Sequence, residues 1–226
     1  MENNFALIVA GGKGMRMEHE IPKQFIELDG LPILMHTLQC FYEADPKLTL
    51  ILILPEDQIS NWESLVMEFS FKVPYQIEAG GRNRTESVRN GLQRVKGEGL
   101  VAIHDGVRPF VSPKLIQDSF YYASRYGNAI AAVKVKDSIR QVHGEFSEAV
   151  NRENFYLVQT PQTFKIPLIK QAYETINPEN SSDDATVLEE FGEQIYLIEG
   201  SYENIKITTP EDLELAGLLL NKFKKR

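Results

Sequence analysis

Short apolar runs alternate along this chain with longer segments whose apolar residues recur at helical spacing. The runs Phe5–Ala10, Leu48–Leu54, Pro74–Glu78, Leu100–His104, Ala129–Val135 and Gln194–Glu199 predict strands. Apolar runs of this kind suit strands covered on both faces. Between them, Pro32 opens a predicted helix that runs through Phe41. Pro55 opens another that carries Ile59, Trp62, Leu65, Val66 and Phe69, because proline fits the first helical turn. Thr85–Val95 and Pro113–Tyr126 read the same way, and a final helix has Thr209 as cap, Pro210 at N1 and Asp212 at N3. The alternation predicts repeated βαβ units, an α/β fold with a largely parallel sheet.

One segment departs from the alternation. Lys136–Asn154 holds Ile139–Val142, then His143-Gly144-Glu145, then Phe146–Val150, which predicts two short strands about a glycine turn. Such an arm would expose Ile139, Val142, Phe146 and Val150, so a second subunit is expected to cover it. No internal repeat, low-complexity tract or linker interrupts the 226 residues, a length that suits one domain.

Composition narrows the class. With 42% hydrophobic residues the chain can build a sizeable core. Its net charge of −8 argues against nucleic-acid or anionic-membrane partners, which require a basic surface. The single cysteine, Cys40, excludes an internal disulfide framework and fits a reducing compartment. Neither a basic leader nor an apolar stretch near the ~20 residues of a membrane span occurs. A cytoplasmic protein is the expectation.

Candidate chemistry lies in the loops. After the first predicted strand comes Ala10-Gly11-Gly12-Lys13-Gly14-Met15-Arg16-Met17, then Pro22-Lys23-Gln24. Glycines let backbone N–H groups approach phosphate oxygens, and Arg16 and Lys23 add a planar fork and a point charge. A tight turn with two solvated cations is the alternative. Neither common phosphate loop fits, because Met17 stands where a dinucleotide fingerprint needs glycine and Met15 where Walker A needs lysine. A second glycine turn, Gly80-Gly81-Arg82-Asn83-Arg84-Thr85-Glu86-Ser87, leads into a predicted helix and offers an anion site, a solvated turn with arginines being the alternative. His104-Asp105-Gly106-Val107-Arg108-Pro109 follows a strand, at the carboxyl edge where open α/β sheets bind ligands. A carboxylate there suits Mg²⁺, which takes one or two protein carboxylates plus substrate phosphates; an Arg–Asp turn is the alternative. A dispersed cluster comprises Asp137, Arg152, Thr160-Pro161-Gln162, Ser182-Asp183-Asp184 and Asn204–Thr208. Lys206 there sits in an apolar strand-like pattern, and spacing alone places it toward solvent. The four histidines lack metal-ligand spacing, no G-x-S-x-G elbow occurs, and Cys40 falls on a predicted core face.

In order, these motifs resemble the 2-C-methyl-D-erythritol 4-phosphate cytidylyltransferases of the non-mevalonate isoprenoid pathway, over about residues 5–215. Asp184-Ala-Thr-Val-Leu-Glu189 and Asn204-Ile-Lys-Ile-Thr208 complete the match. The resemblance implies a three-layer Rossmann-like nucleotidyltransferase domain over residues 1–226, with 136–154 as a β-hairpin arm that joins a homodimer. It implies transfer of CMP from CTP to 2-C-methyl-D-erythritol 4-phosphate, with pyrophosphate released and Mg²⁺ on Asp105. Arg16, Lys23 and Lys206 would be catalytic. Ala10, Gly11, Gly12, Gly14, Gly80, Gly81, Arg84, Ser87 and Asp105 would bind nucleotide. Arg108, Asp137, Ser138, Arg152, Thr160 and Asp183 would bind the acceptor, with Arg152 reaching the partner's site. The related ribitol-5-phosphate cytidylyltransferases share Val107-Arg108-Pro109-Phe110, so ribitol 5-phosphate is the alternative acceptor, and a non-catalytic nucleotide binder is a further alternative. Two positions depart from the family: Gly106 where alanine is common, expected only to loosen the loop, and Ser138 where threonine is common.

Overall fold

Successive residues of the first strand, β1 (Phe5–Val9), face opposite sides of a sheet, and both sides are apolar. In this computed structural model, which describes residues 3–11, 21–176 and 181–223, Ala6 and Ile8 enter one core and Phe5, Leu7 and Val9 another. Such two-sided burial requires helices on both faces. After β1 come the short strands β2 (Glu27–Leu28) and β3 (Leu31–Pro32), then α1 (Ile33–Ala44) and β4 (Thr49–Leu54). They are followed by α2 (Ile59–Glu68), β5 (Gln76–Ala79), α3 (Arg84–Arg94), β6 (Leu100–Asp105), α4 (Pro113–Tyr126) and β7 (Asn128–Lys134). The remainder is β8 (Arg140–His143), β9 (Phe146–Ala149), β10 (Tyr156–Lys165), α5 (Ile166–Thr175), α6 (Asp184–Glu190), β11 (Leu197–Glu199) and α7 (Pro210–Phe223).

Helices α1, α2 and α4 cover one face through Leu34, Leu38, Phe41, Trp62, Leu115 and Ile116. On the other, α3, α5 and α6 pack Val88, Leu92, Ile169, Ala172 and Leu188. A third cluster seats α7 against Val107, Phe110 and Ile207. The expected three-layer, mostly parallel α/β architecture is therefore present.

The main sheet has the order β11-β7-β10-β6-β1-β4-β5. All its neighbours pair parallel except β10, which runs antiparallel to both β6 and β7. From β1 the chain builds outward to β4 and β5, then returns to place β6 on the other flank of β1. The strand order reverses there, with Val9 beside Asp105, and such a reversal opens a crevice at the strands' carboxyl ends.

Two predicted features change. The long strand β10 contains Thr160-Pro161-Gln162, where no strand was expected, and Pro161 falls in a register shift between Val158 and Gln162. Proline is admitted to a sheet where pairing is interrupted, so it hides this strand from a propensity reading. Asn204–Thr208 forms no strand. It is an irregular segment docked by Ile207 N–H on the Val107 carbonyl at 2.9 Å.

Candidate active site

The crevice at the β1/β6 reversal is lined by Ala10, Gly11, Lys23, Gln24, Arg84, Asp105 and Lys206, among others. These seven come from five separate stretches of the chain, each placed for a local reason. Asp105 ends β6, held by its own N–H on the Thr160 hydroxyl of β10 at 3.0 Å. Lys23 opens a short 3-10 turn after Pro22, and the next residue, Gln24, is buried. Arg84 is the first residue of α3, whose cap Asn83 accepts from Glu86 N–H at 2.8 Å.

Cations gather on the one carboxylate. Arg108 Nε donates to Asp105 Oδ2 at 3.0 Å, Lys206 Nζ lies 3.1 Å from the same oxygen, and Arg84 Nε lies 3.8 Å from Oδ1. Burial pushes the Asp105 carboxyl up, but Lys206, Arg84 and Arg108 outweigh it and hold the group well below the usual carboxylate range. It is an anion at any physiological pH. Lys206 thus faces the cleft, contrary to its spacing, because the segment that carries it has no strand alternation to obey. Arg108 also donates from Nη1 to the Asn204 carbonyl at 2.8 Å, and buried Asn204 donates to the Thr160 carbonyl at 2.8 Å. These bonds tie the Lys206 segment to β10 and to the loop after β6.

The second glycine turn joins the first. Gly80 N–H donates to the Leu54 carbonyl at 2.7 Å, and Gly81 N–H to Ser87 Oγ at 3.0 Å. A Cβ on Gly81 would stand 2.3 Å from the Cβ of Glu86, so only glycine fits. One on Gly11 would touch Ser87 Oγ at 3.4 Å, so both loops meet at this hydroxyl. Ser87 is buried and donates to the Asn83 carbonyl at 2.8 Å, so its hydroxyl shapes the turn. Gly106 does more than loosen its loop. A methyl there would meet Ala10 Cβ and Leu34 Cδ1 at 3.0 Å, so glycine lets β6 close on β1.

Not every expected residue lies in the crevice. Gly12, Gly14 and Arg16 fall outside the described residues. Asp137, Ser138 and Arg152 are exposed at the root of the β8–β9 arm, where Arg152 donates to the Lys136 carbonyl. Thr160 is committed to Asp105. Asp183 caps α6, accepting from Thr186 N–H at 2.9 Å and from Gln162 Nε2 at 2.8 Å. Asp184, which the sequence showed as part of a motif without assigning it a role, is fully buried and 2.6 Å from Arg84. Its place in an aspartate-rich stretch opening an apolar helix face was the available signal.

Asp105 is the residue of the crevice that could hold a divalent cation such as Mg²⁺. Among the described residues no group of three or more metal-ligating side chains occurs. Among the described residues Asp105 Oδ1 is the less occupied oxygen, with the 3.8 Å pair to Arg84.

The family model for 2-C-methyl-D-erythritol 4-phosphate cytidylyltransferase matches residues 5–222. A protein of that name from Bacteroides fragilis is 47% identical over 215 residues, 95% of this chain and 98% of its own length. One from Phocaeicola vulgatus is 44% identical over 96% of this chain and 100% of its own. Among solved structures, 4-diphosphocytidyl-2C-methyl-D-erythritol synthase from Anaerococcus prevotii superposes with a TM-score of 0.84 at 29% identity, covering 97% of this chain and 96% of the other. The cytidylyltransferase from Thermus thermophilus gives 0.77 at 30% identity, over 98% and 100%. With nearly its whole length matched and the reversal-point crevice in place, the chain belongs to the 2-C-methyl-D-erythritol 4-phosphate cytidylyltransferase family.

Proposed function

We propose that the chain transfers CMP from CTP to 2-C-methyl-D-erythritol 4-phosphate, releasing pyrophosphate. The supporting observation is the convergence of Lys23, Arg84 and Lys206 with Asp105 in one crevice, although they are remote in sequence. A phosphate oxygen of the acceptor attacks the α-phosphorus of CTP. The new P–O bond forms as the bond to the β-phosphate oxygen breaks, and that oxygen leaves with the electron pair as pyrophosphate. The acceptor phosphate is already anionic, so no base is required. The barrier lies in bringing two anions together, and fixed cations lower it.

In this reading Lys23 and Lys206 neutralise charge developing at the α-phosphate, and Arg84 holds nucleotide oxygens from the head of α3. Mg²⁺ at Asp105 would neutralise phosphate charge that the lysines do not reach. The Gly11 and Gly80-Gly81 backbone shapes a close-fitting wall. Arg16, Gly12 and Gly14 belong with the triphosphate, and Arg108, Asp137, Ser138, Arg152, Thr160 and Asp183 with the acceptor side, some directly and some through the residues they hold. Since Asp137, Ser138 and Arg152 sit at the arm's root, the reading includes a homodimer in which one subunit's arm completes its partner's site. Val142 and Phe146, 69% and 80% exposed, support an arm that is covered by another copy.

The test is pyrophosphate release from CTP with Mg²⁺ and either 2-C-methyl-D-erythritol 4-phosphate or ribitol 5-phosphate. Release that depends on the first acceptor supports the proposal. Greater turnover of the second reassigns the acceptor, and no release with either leaves a nucleotide-binding protein.

A further inference from the structure

Arg84 stands between two carboxylates and is bound to only one. Its Nη2 donates to Asp184 Oδ2 at 2.6 Å, whereas its Nε is 3.8 Å from Asp105 Oδ1. Asp184 has no exposed surface, and its other oxygen accepts from the Tyr173 hydroxyl at 2.5 Å. A carboxylate buried this deeply persists only when both oxygens are matched. Here Arg84 supplies the charge and Tyr173 the second bond.

The support reaches the sheet. Gln162 of β10, paired with Ile103 of β6, accepts from Ala185 N–H at 2.9 Å and donates to Asp183 at 2.8 Å. The start of α6 is therefore pinned to the strand beside Asp105, and Tyr173 pins Asp184 from α5. Arg84 is the one member of this chain of bonds that reaches the crevice, with its side chain 29% exposed. A long flexible side chain at a cleft mouth samples many rotamers unless a partner fixes it.

We infer that Asp184, seated by Tyr173, is a positioning residue that aims the Arg84 guanidinium at the nucleotide phosphates and keeps it off Asp105. This rests on the reading of the crevice as the CTP site. Removing the Asp184 charge leaves Arg84 drawn to the next carboxylate, Asp105, and out of register with the nucleotide.

The test is a double-mutant cycle on CTP affinity, measured by calorimetry with Mg²⁺ on Arg84→Ala, Asp184→Asn and the pair. Asp184→Asn keeps shape and a hydrogen-bond acceptor, and is expected to weaken CTP about tenfold, the scale of one charge-assisted bond. In the Arg84→Ala background the same change is expected to do almost nothing, since its effect passes through Arg84. Damage to packing would instead persist at full size in that background, which overturns the inference. CTP affinity unchanged in Arg84→Ala overturns the reading of the crevice and the inference with it. Tyr173→Phe, a smaller change, covers the case in which Asp184→Asn does not fold. It is expected to weaken CTP about threefold, again only when Arg84 is present, and an equal loss without Arg84 sinks the inference.

Discussion

At Asp105 burial and charge oppose each other, and three cations within 3.8 Å decide the outcome for the anion. At its neighbour His104 the balance goes the other way, since burial outweighs the Asp105 charge and the Arg108 carbonyl that favour the cation. Burial drives its imidazole down to about 3, so it is a neutral core residue packed edge-on against Phe41. Cys40 shows the same desolvation in a thiol. Sγ donates to the Pro109 carbonyl at 3.3 Å, and burial, with the Glu43 charge, raises the group from 9.0 to about 12. The sign follows directly. Above pH 9 the unfolded chain loses this proton and the folded chain keeps it, so stability falls as pH rises, by about 1.4 kcal/mol per unit between the two values. Cys40→Ala is expected to flatten that part of a pH–stability curve measured by urea unfolding, and an unchanged slope would contradict the burial argument. The thiol is half-buried and packed against the core cluster from its edge, just short of the core position that its apolar helix face indicated.

Among the elements, those with a local signature were readable. Helix α4 carries Pro113 at its head, capped by Ser112. Helix α7 shows the reciprocal bonds of a capping box, with Thr209 N–H on Asp212 Oδ2 at 2.9 Å and Asp212 N–H on Thr209 Oγ1 at 3.4 Å. What escaped was set by tertiary pairing. Strand β10 has exposed Tyr156, Leu157 and Val158 at one end, and its buried stretch holds Pro161 and is mostly polar, so no apolar buried run announces it. Helices α5 and α6 are short, and their apolar faces make sense only against Val101, Ile103 and Phe164 of the sheet. The arm was readable from its Gly144 turn, where φ is 61°. Its strands β8 and β9 are exposed throughout, a state that suits a contact between copies better than a free hairpin. If the proposed homodimer forms through this arm, Phe146→Asp is expected to shift it from dimer to monomer in sedimentation velocity and to lower turnover with it. A dimer that survives the substitution would move the interface elsewhere.

On the scale of the molecule, one topological fact locates the site: the sheet reverses order between β1 and β6, so their ends open a crevice toward which several loops run. The loops' chemistry was legible as glycine turns, an aspartate after a strand and scattered cations. Their convergence was not, because it depends on contacts between distant segments. Lys206 is the clearest case. Its spacing pointed to solvent, yet Ile207 docking on Val107 and Asn204 docking on β10 turn it to within 3.1 Å of Asp105. Asp184 shows the converse, a residue visible in a motif whose partner, Arg84, lies 100 positions away. The account rests on that convergence acting at a single phosphorus, and Lys206 tests it best, since it touches no core and lies on an irregular segment. The decisive measurement is the single-turnover rate of Lys206→Ala with CTP and 2-C-methyl-D-erythritol 4-phosphate both saturating. A rate lower by ~100-fold is expected, the scale for losing one transition-state charge donor. A rate equal to that of the unaltered protein would contradict the account.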